Sequence, residues 1–162
     1  MLKSYALFLA AGMLALSASA SAETSPATVK LKALSHTIAN KMVVASVNEC
    51  TKRGFSVAAA VVGRNGDLLA FLRNPLAGPH TETVSQRKAY SAATFQTSTH
   101  EMRSRTDLSF APKILLIRGG VPINIGGVFY GGIAVAGASP EVDELCAEAG
   151  IAAVQEEILF EG

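Results

Sequence analysis

The chain has 162 residues, of which 49% are hydrophobic and 17% are charged, and its formal net charge is +1. This length is sufficient for one domain with a substantial core. The near-neutral charge argues against a general nucleic-acid-binding protein, because such proteins need a surplus of basic residues to displace counterions from phosphates.

The first 22 residues have the pattern of a secretory signal peptide. Lys3 precedes a short apolar run, and Ala20-Ser21-Ala22 matches the A-x-A cleavage pattern. The run is shorter than the roughly 20 apolar residues that a spanning helix needs, although an uncleaved anchor is the alternative. We therefore expect cleavage after Ala22 and a single mature domain, residues 23–162. The protein would be periplasmic or secreted, with no stable membrane insertion.

A helix and a β-hairpin are predicted for the first part of the mature chain. The segment "VKLKALSHTIANKMVVASVNECTKRG" has apolar residues at helical spacing, and Gly54 is a suitable end for that helix. Two apolar runs then flank Asn65-Gly66, a sequence that accepts the positive φ values of a tight hairpin turn. The pattern predicts strands near 56–63 and 67–73.

A second helix is predicted over residues 81–96, after a loop that contains His80. Its sequence, "TETVSQRKAYSAATFQ", forms a stripe of Val84, Lys88, Ala89, Ala92 and Phe95. The polar segment that follows predicts a loop with a short helix, and "KILLIRGG" is either a short strand or an extended run.

The glycine-rich segment from Gly119 to Cys146 raises the question of a phosphate-binding loop. It has no GKS, GKT or GxGxxG sequence that opens a helix, and Gly126-Gly127 fits a hairpin turn. Ser139 and Pro140 suit the start of a helix. The acids that follow favour the helix dipole rather than catalysis; they are Glu141, Asp143 and Glu144. The segment predicts strand, hairpin, strand and helix, and the hairpins indicate an α+β fold.

Two cysteines, Cys50 and Cys146, lie in the predicted mature chain. An exported chain permits a disulfide between them, which would require two helical segments to touch. Free buried cysteines are also common, so both alternatives stay open. The absence of a CxxC sequence argues against zinc or thioredoxin-type chemistry.

The sequence offers little support for hydrolytic catalysis. None of its three histidines forms an HExxH motif, and no serine lies in a GxSxG sequence. Residues 87–118 are rich in lysine and arginine. This basic region suits either an anionic small molecule or an ordinary solvated surface.

Taken as a whole, the sequence resembles the GlcG/HbpS-like family. The resemblance runs from about Leu31 to Val154 and rests on "VAAAVVGRNGDLLAFLR", "SQRKAYSAATF", "GGVPI" and "GGIAVAGASPEVDELCAEAG". It implies a central antiparallel sheet of about five strands with helices packed on it, a profilin-like fold similar to the C-terminal domain of PduO-type proteins. It also implies a homo-oligomer and a small-molecule ligand, namely haem or, alternatively, a corrinoid.

The resemblance places the haem-contacting region on "RKAYSAATFQTSTHEM". Arg87 and Lys88 match its basic pair and would contact haem propionates. Tyr90 and Phe95 would either flank the macrocycle or pack in the core.

The same resemblance implies iron contacts at two adjacent residues. Thr99 matches a threonine associated with the iron. His100 departs from the family pattern, but imidazole is the stronger haem ligand. We therefore expect a metal contact at Thr99 or His100, unless His100 is only a surface residue.

Three functions are compatible with these features. The favoured one is an exported haem-binding protein for haem handling or sensing. The alternatives are an enzyme that acts on haem or a small organic acid, and an accessory or assembly protein without a ligand. Because no acid/base or nucleophilic constellation is present, the sequence favours a binding protein over an enzyme.

Overall fold

The computed structural model describes residues 26–161, apart from the side chains of Ser109 and Glu161. The predicted signal peptide, residues 1–22, lies outside the described residues. The chain divides into a first unit, Met1–Lys30, and a second unit, Leu31–Gly162. Residues 26–30 form no helix or strand, and all the elements below belong to the second unit.

Three α-helices and four β-strands form the second unit. In chain order they are α1 (His36–Lys52), β1 (Ala58–Gly63), β2 (Leu68–Arg73), α2 (His80–Phe95), β3 (Gly120–Ile125), β4 (Val128–Ala136) and α3 (Pro140–Glu161), with a 3-10 helix at Thr106–Phe110. Among the described residues, no helix combines the length and the apolar character that crossing a membrane requires.

The strands form one antiparallel sheet in the order β2-β1-β4-β3, which confirms the predicted α+β class. The expectation of about five strands was slightly wrong, because the described residues form four. Residues 114–117 form no strand. Their backbone is held by α2 instead: Arg87 donates to the carbonyl of Ile114, and the Leu115 amide donates to Ser91 Oγ.

The predicted β1–β2 hairpin is confirmed. Gly66 has a φ of +80°, and the Gly63 amide donates to the Asp67 carbonyl at 2.9 Å to close the turn. The second predicted hairpin is also present, with its turn at Gly126 and Gly127 between β3 and β4.

The sheet is covered on both faces. Ala59 and Val61 of β1 belong to a core shared with α1 and α3, whereas Ala60 and Val62 belong to a smaller core with α2. Alternate residues of a strand point to opposite faces. Burial on both faces therefore explains why β1 is a continuous apolar run rather than an alternating one.

The helix boundaries follow local capping rules. Ser35 caps α1 by accepting a hydrogen bond from the Ile38 amide at 3.2 Å, and Ser139 accepts from the Val142 amide at the start of α3, as predicted. His80 begins α2 rather than lying in the preceding loop. Pro79 already has helical dihedral angles, so the helix starts earlier than expected.

A disulfide joins Cys50 of α1 to Cys146 of α3, with 5.7 Å between the two Cα atoms. Both cysteines are fully buried. The two helices therefore touch, and the question that the sequence left open is resolved in favour of the bond.

Candidate ligand-binding cleft

A cleft of about 490 Å³ lies between the β1–β2 hairpin and α2. The hairpin contributes residues 66–68, α2 contributes a face that includes Glu82, Arg87 and Tyr90, and the segment after the 3-10 helix contributes Lys113. This volume is within the range of about 300–1,000 Å³ that is typical of small-molecule sites.

Tyr90 is packed closely against the hairpin turn. A Cβ atom at Gly66 would lie 2.6 Å from Cε2 of the Tyr90 ring, so only glycine leaves room for the ring in this position. The Lys113 ammonium lies 5.5 Å from the centroid of the same ring. This distance is typical of a cation–π interaction.

The segment that carries Lys113 is anchored to α2. Arg87 Nη2 donates to the Ile114 carbonyl at 2.7 Å. Ser91 Oγ accepts from the Leu115 amide and donates to the Arg87 carbonyl, both at 2.8 Å. These bonds place Lys113 at the cleft although it lies well beyond the end of α2.

The cleft carries charges of both signs. Arg87 and Lys113 are its cations, and Asp67 and Glu82 are its anions. Within residues 26–161, none of these four side chains forms a salt bridge. Two cations beside an aromatic ring can bind a planar ligand that carries carboxylates.

Lys88 does not line the cleft. Its side chain is 1% exposed, and Nζ donates to Asp143 Oδ2 at 2.8 Å and to the Val135 carbonyl at 2.7 Å. Burial lowers the pKa of Lys88, and the charge of Asp143 opposes that shift. The predicted contact between Lys88 and a propionate is not compatible with this geometry, because the ammonium is already paired inside the protein.

The role of Asp143 is larger than the sequence indicated. It lies in the first turn of α3 as predicted, but it is only 3% exposed. Its Oδ1 accepts from the Ala138 amide at 3.0 Å while Oδ2 binds Lys88. Burial raises the pKa of Asp143, and the charge of Lys88 opposes that shift. The sequence signal that could have indicated this pair is the position of Lys88 in the apolar stripe of α2.

Thr99 is also buried away from the cleft. It has no solvent exposure, its Oγ1 accepts from the Gly120 amide at 3.0 Å, and its own amide donates to the Gly120 carbonyl. The side chain thus holds the start of β3. This geometry does not support the expected contact between Thr99 and haem iron, because no external group can approach the hydroxyl in this arrangement.

Phe95 and His100 do not line the cleft either. Phe95 is the last residue of α2 and is half-buried. His100 lies in the next turn, where its Nε2 is 3.2 Å from Arg103 Nη1. Within the described part of the chain, no group of three or more His, Cys, Asp or Glu side chains is arranged to hold a metal ion.

The structure therefore brings together two of the six predicted site residues, Arg87 and Tyr90. It adds Lys113, which the sequence showed only as one charge in a basic region. Its proximity to Tyr90 depends on the path of the segment after α2, which local periodicity does not reveal.

Comparison with known proteins gives consistent matches. A family model described as "Haem degrading protein HbpS-like" matches residues 34–152. Protein GlcG of Escherichia coli (strain K12) is 34% identical over 107 residues, which cover 63% of this chain and 80% of that protein.

Solved structures share the fold. A double mutant of HbpS from Streptomyces reticuli is 34% identical with a TM-score of 0.74, and the match covers 81% of this chain and 93% of that one. The PduOC:heme complex is 25% identical with a TM-score of 0.70, covering 75% of this chain and 95% of that one.

Proposed function

This chain belongs to the HbpS-like family, as its motifs predicted, and on that premise we propose that it is an exported haem-binding protein used in haem handling or sensing. The observation that carries the proposal is the cleft in which Arg87 and Lys113 lie beside Tyr90. A structure of the related PduOC with heme supports the choice of ligand.

The residues of the cleft fit the organic part of haem. Haem has a flat apolar ring and two propionates. Arg87 and Lys113 are suited to charge-assisted hydrogen bonds with the propionates, and Tyr90 offers an aromatic surface for the ring. Arg87 uses one nitrogen on Ile114, which leaves other guanidinium donors for a ligand.

The iron contact expected at Thr99 or His100 stays a prediction, because neither residue lines the cleft and Thr99 is engaged with Gly120. A neutral imidazole nitrogen is a strong haem ligand, so His100 is the residue of the two to test. When bound, haem would supply an iron centre whose redox and ligand-binding properties depend on the residue that holds the iron.

Export is supported by two independent features. The chain begins with the charged, apolar and small-residue regions of a signal peptide. The Cys50–Cys146 disulfide is of a kind that persists in oxidising compartments and is rare in the cytosol.

A titration with haemin tests the proposal. The purified chain should shift the Soret band of haemin and saturate near one equivalent. Tyr90→Leu should weaken binding about three- to tenfold, because it removes an aromatic contact, whereas Phe160→Leu, which alters an exposed aromatic residue on α3, should not. His100→Ala should move the Soret position if His100 binds the iron.

Two outcomes would count against this function. An unchanged haemin spectrum at every ratio would remove haem as the ligand and favour the accessory-protein alternative. Progressive loss of the Soret band in the presence of ascorbate would instead indicate degradation, which would favour an enzyme over a binding protein.

A further inference from the structure

Lys113 has a backbone conformation that residues with a side chain rarely adopt. Its φ is +67°, in the left-handed region that is unfavourable for residues with a Cβ atom. Within the described chain the other such residue is Gln96. Gln96 caps the C-terminal end of α2, where a left-handed residue is common, but Lys113 caps no helix.

The surroundings maintain this unfavourable conformation. Arg87 and Ser91 of α2 bind the two residues that follow Lys113, at 2.7 Å and 2.8 Å. Residues held in strained conformations cluster at ligand sites, where the surrounding structure compensates for the strain. Here the strain places an ammonium at the rim of the cleft, over Tyr90.

The Lys113 ammonium is available to a ligand. Lys113 is exposed. Within residues 26–161 its ammonium contacts the Tyr90 ring and forms no salt bridge. A cation–π contact at an exposed site is weak, so a carboxylate competes with it readily.

We infer that Lys113 is the main anion-recognising residue of the cleft, and that its ammonium moves from the Tyr90 ring to a ligand carboxylate, which frees the ring to contact the ligand's planar body. The ligand class is a planar conjugated ring system with at least one carboxylate. This inference rests on the proposed function for the choice of cleft and porphyrin, but it does not require iron.

The test varies the charge of the ligand and of the protein together. Metal-free protoporphyrin IX and its dimethyl ester are titrated separately, in the same buffer, into the wild type and into Lys113→Gln. The wild type should bind the free acid more tightly. Lys113→Gln should lose about three- to tenfold in affinity for the free acid and little for the ester. Lys52→Gln is the matched control, since it removes an exposed lysine from the end of α1.

Two further variants separate recognition from structure. Lys113→Arg keeps the charge and should keep the preference for the free acid. Lys113→Gly removes the charge and relieves the unfavourable φ, so it should weaken binding of the free acid while raising the midpoint of urea denaturation. If Lys113 had a purely structural role, its replacement by glycine would instead lower that midpoint.

The outcomes distinguish this inference from the proposed function. If Lys113→Gln loses affinity equally for both porphyrins, or loses none, the inference is overturned even if haemin binds. Binding of protoporphyrin that depends on Lys113, without any Soret shift of haemin, would support the inference and overturn the haem function. Absence of binding of every porphyrin would overturn both.

Discussion

At the scale of single residues, the buried ion pair of Lys88 and Asp143 is the most consequential feature. It joins α2 to α3 with side-chain exposures of only 1% and 5%. Burial shifts both pKa values towards the neutral forms, and each partner's charge counters the other's shift. The ammonium also donates to the Val135 carbonyl and the carboxylate accepts from the Ala138 amide. Because both groups have further hydrogen bonds, we describe the pair as charged.

Removing one partner should be costly. Asp143→Asn leaves the Lys88 ammonium buried without its counter-charge, and we expect the free energy of unfolding at pH 7 to fall by about 3–5 kcal/mol. The double variant Lys88→Met/Asp143→Asn should recover most of this loss, because no buried charge remains. Urea denaturation of both variants measures the difference. Similar stability in the single and double variants would contradict a charged pair.

The single variant should also respond to pH. Without Asp143, the folded-state pKa of Lys88 lies further below its ordinary value of 10.5, so stability is lost as the pH falls from 10.5 to the folded pKa. Asp143→Asn should therefore gain stability as the pH is raised towards 10.5. The double variant has no Lys88 ammonium and should not show this gain.

At the scale of elements, the β1–β2 hairpin supports both the sheet and the cleft. Its turn residue Gly66 has a φ of +80° and lies directly against Tyr90 of α2. The same glycine thus permits the turn and the close approach of the helix.

A comparison of Gly66 with Gly127 distinguishes the cost of a positive φ from the cost of displacing Tyr90. Gly127, in the β3–β4 turn, has a φ of +76°, but a Cβ there would meet nothing within 4 Å. Gly127→Ala should lose about 1–2 kcal/mol of stability from φ alone. Gly66→Ala should lose about 1–3 kcal/mol more, because its methyl group would displace Tyr90, and Gly66→Val should cost at least as much. Thermal denaturation measures the stability of both alanine variants. Equal losses of stability would show that Tyr90 can move away from residue 66 at no energetic cost.

The disulfide acts between α1 and α3. It closes a loop whose ends are 96 positions apart, and removal of a native disulfide from a small exported domain typically costs about 2–5 kcal/mol. We expect Cys50→Ala/Cys146→Ala to have a lower denaturation midpoint than the oxidised wild type. Dithiothreitol should lower the wild-type midpoint but not that of the double variant. Identical midpoints for oxidised and reduced wild type would argue against the bond.

At the scale of the whole molecule, helices cover both faces of one sheet, and the cleft lies at the turn of the β1–β2 hairpin. The compact unit from Leu31 onwards contains all of these elements. Self-association stays a prediction of the family resemblance, for which light scattering of the purified protein is the direct measurement.

Export is the prediction that concerns residues 1–22. Mass spectrometry of protein from the periplasm or the medium should show a chain that begins at Glu23. Replacing Ala20 and Ala22 by lysine removes the small residues of the A-x-A site, so the precursor should persist. A full-length wild-type chain retained in the cytoplasm would contradict this prediction.

Local patterns by themselves determined most of the elements. The sequence closely predicted the Asn65-Gly66 turn, the Ser139-Pro140 helix start and the strands of the sheet. Each of these depends on the conformational preferences of residues a few positions apart. For the apolar run near Ile114 the sequence left a short strand and an extended run open, and the run forms no strand. Its hydrogen-bond partners are side chains of α2, which no local pattern indicates.

Only the tertiary structure decided which residues form the site. Lys88 and Thr99 suit a ligand by residue type, but Asp143, 55 positions away, and Gly120, 21 positions away, engage them in the interior. The disulfide, between residues 96 positions apart, was decided in the same way. Lys113 joins the cleft because α2 anchors the segment behind it. Each of these contacts depends on how whole elements pack, and that packing minimises the energy of the entire core rather than of any one segment.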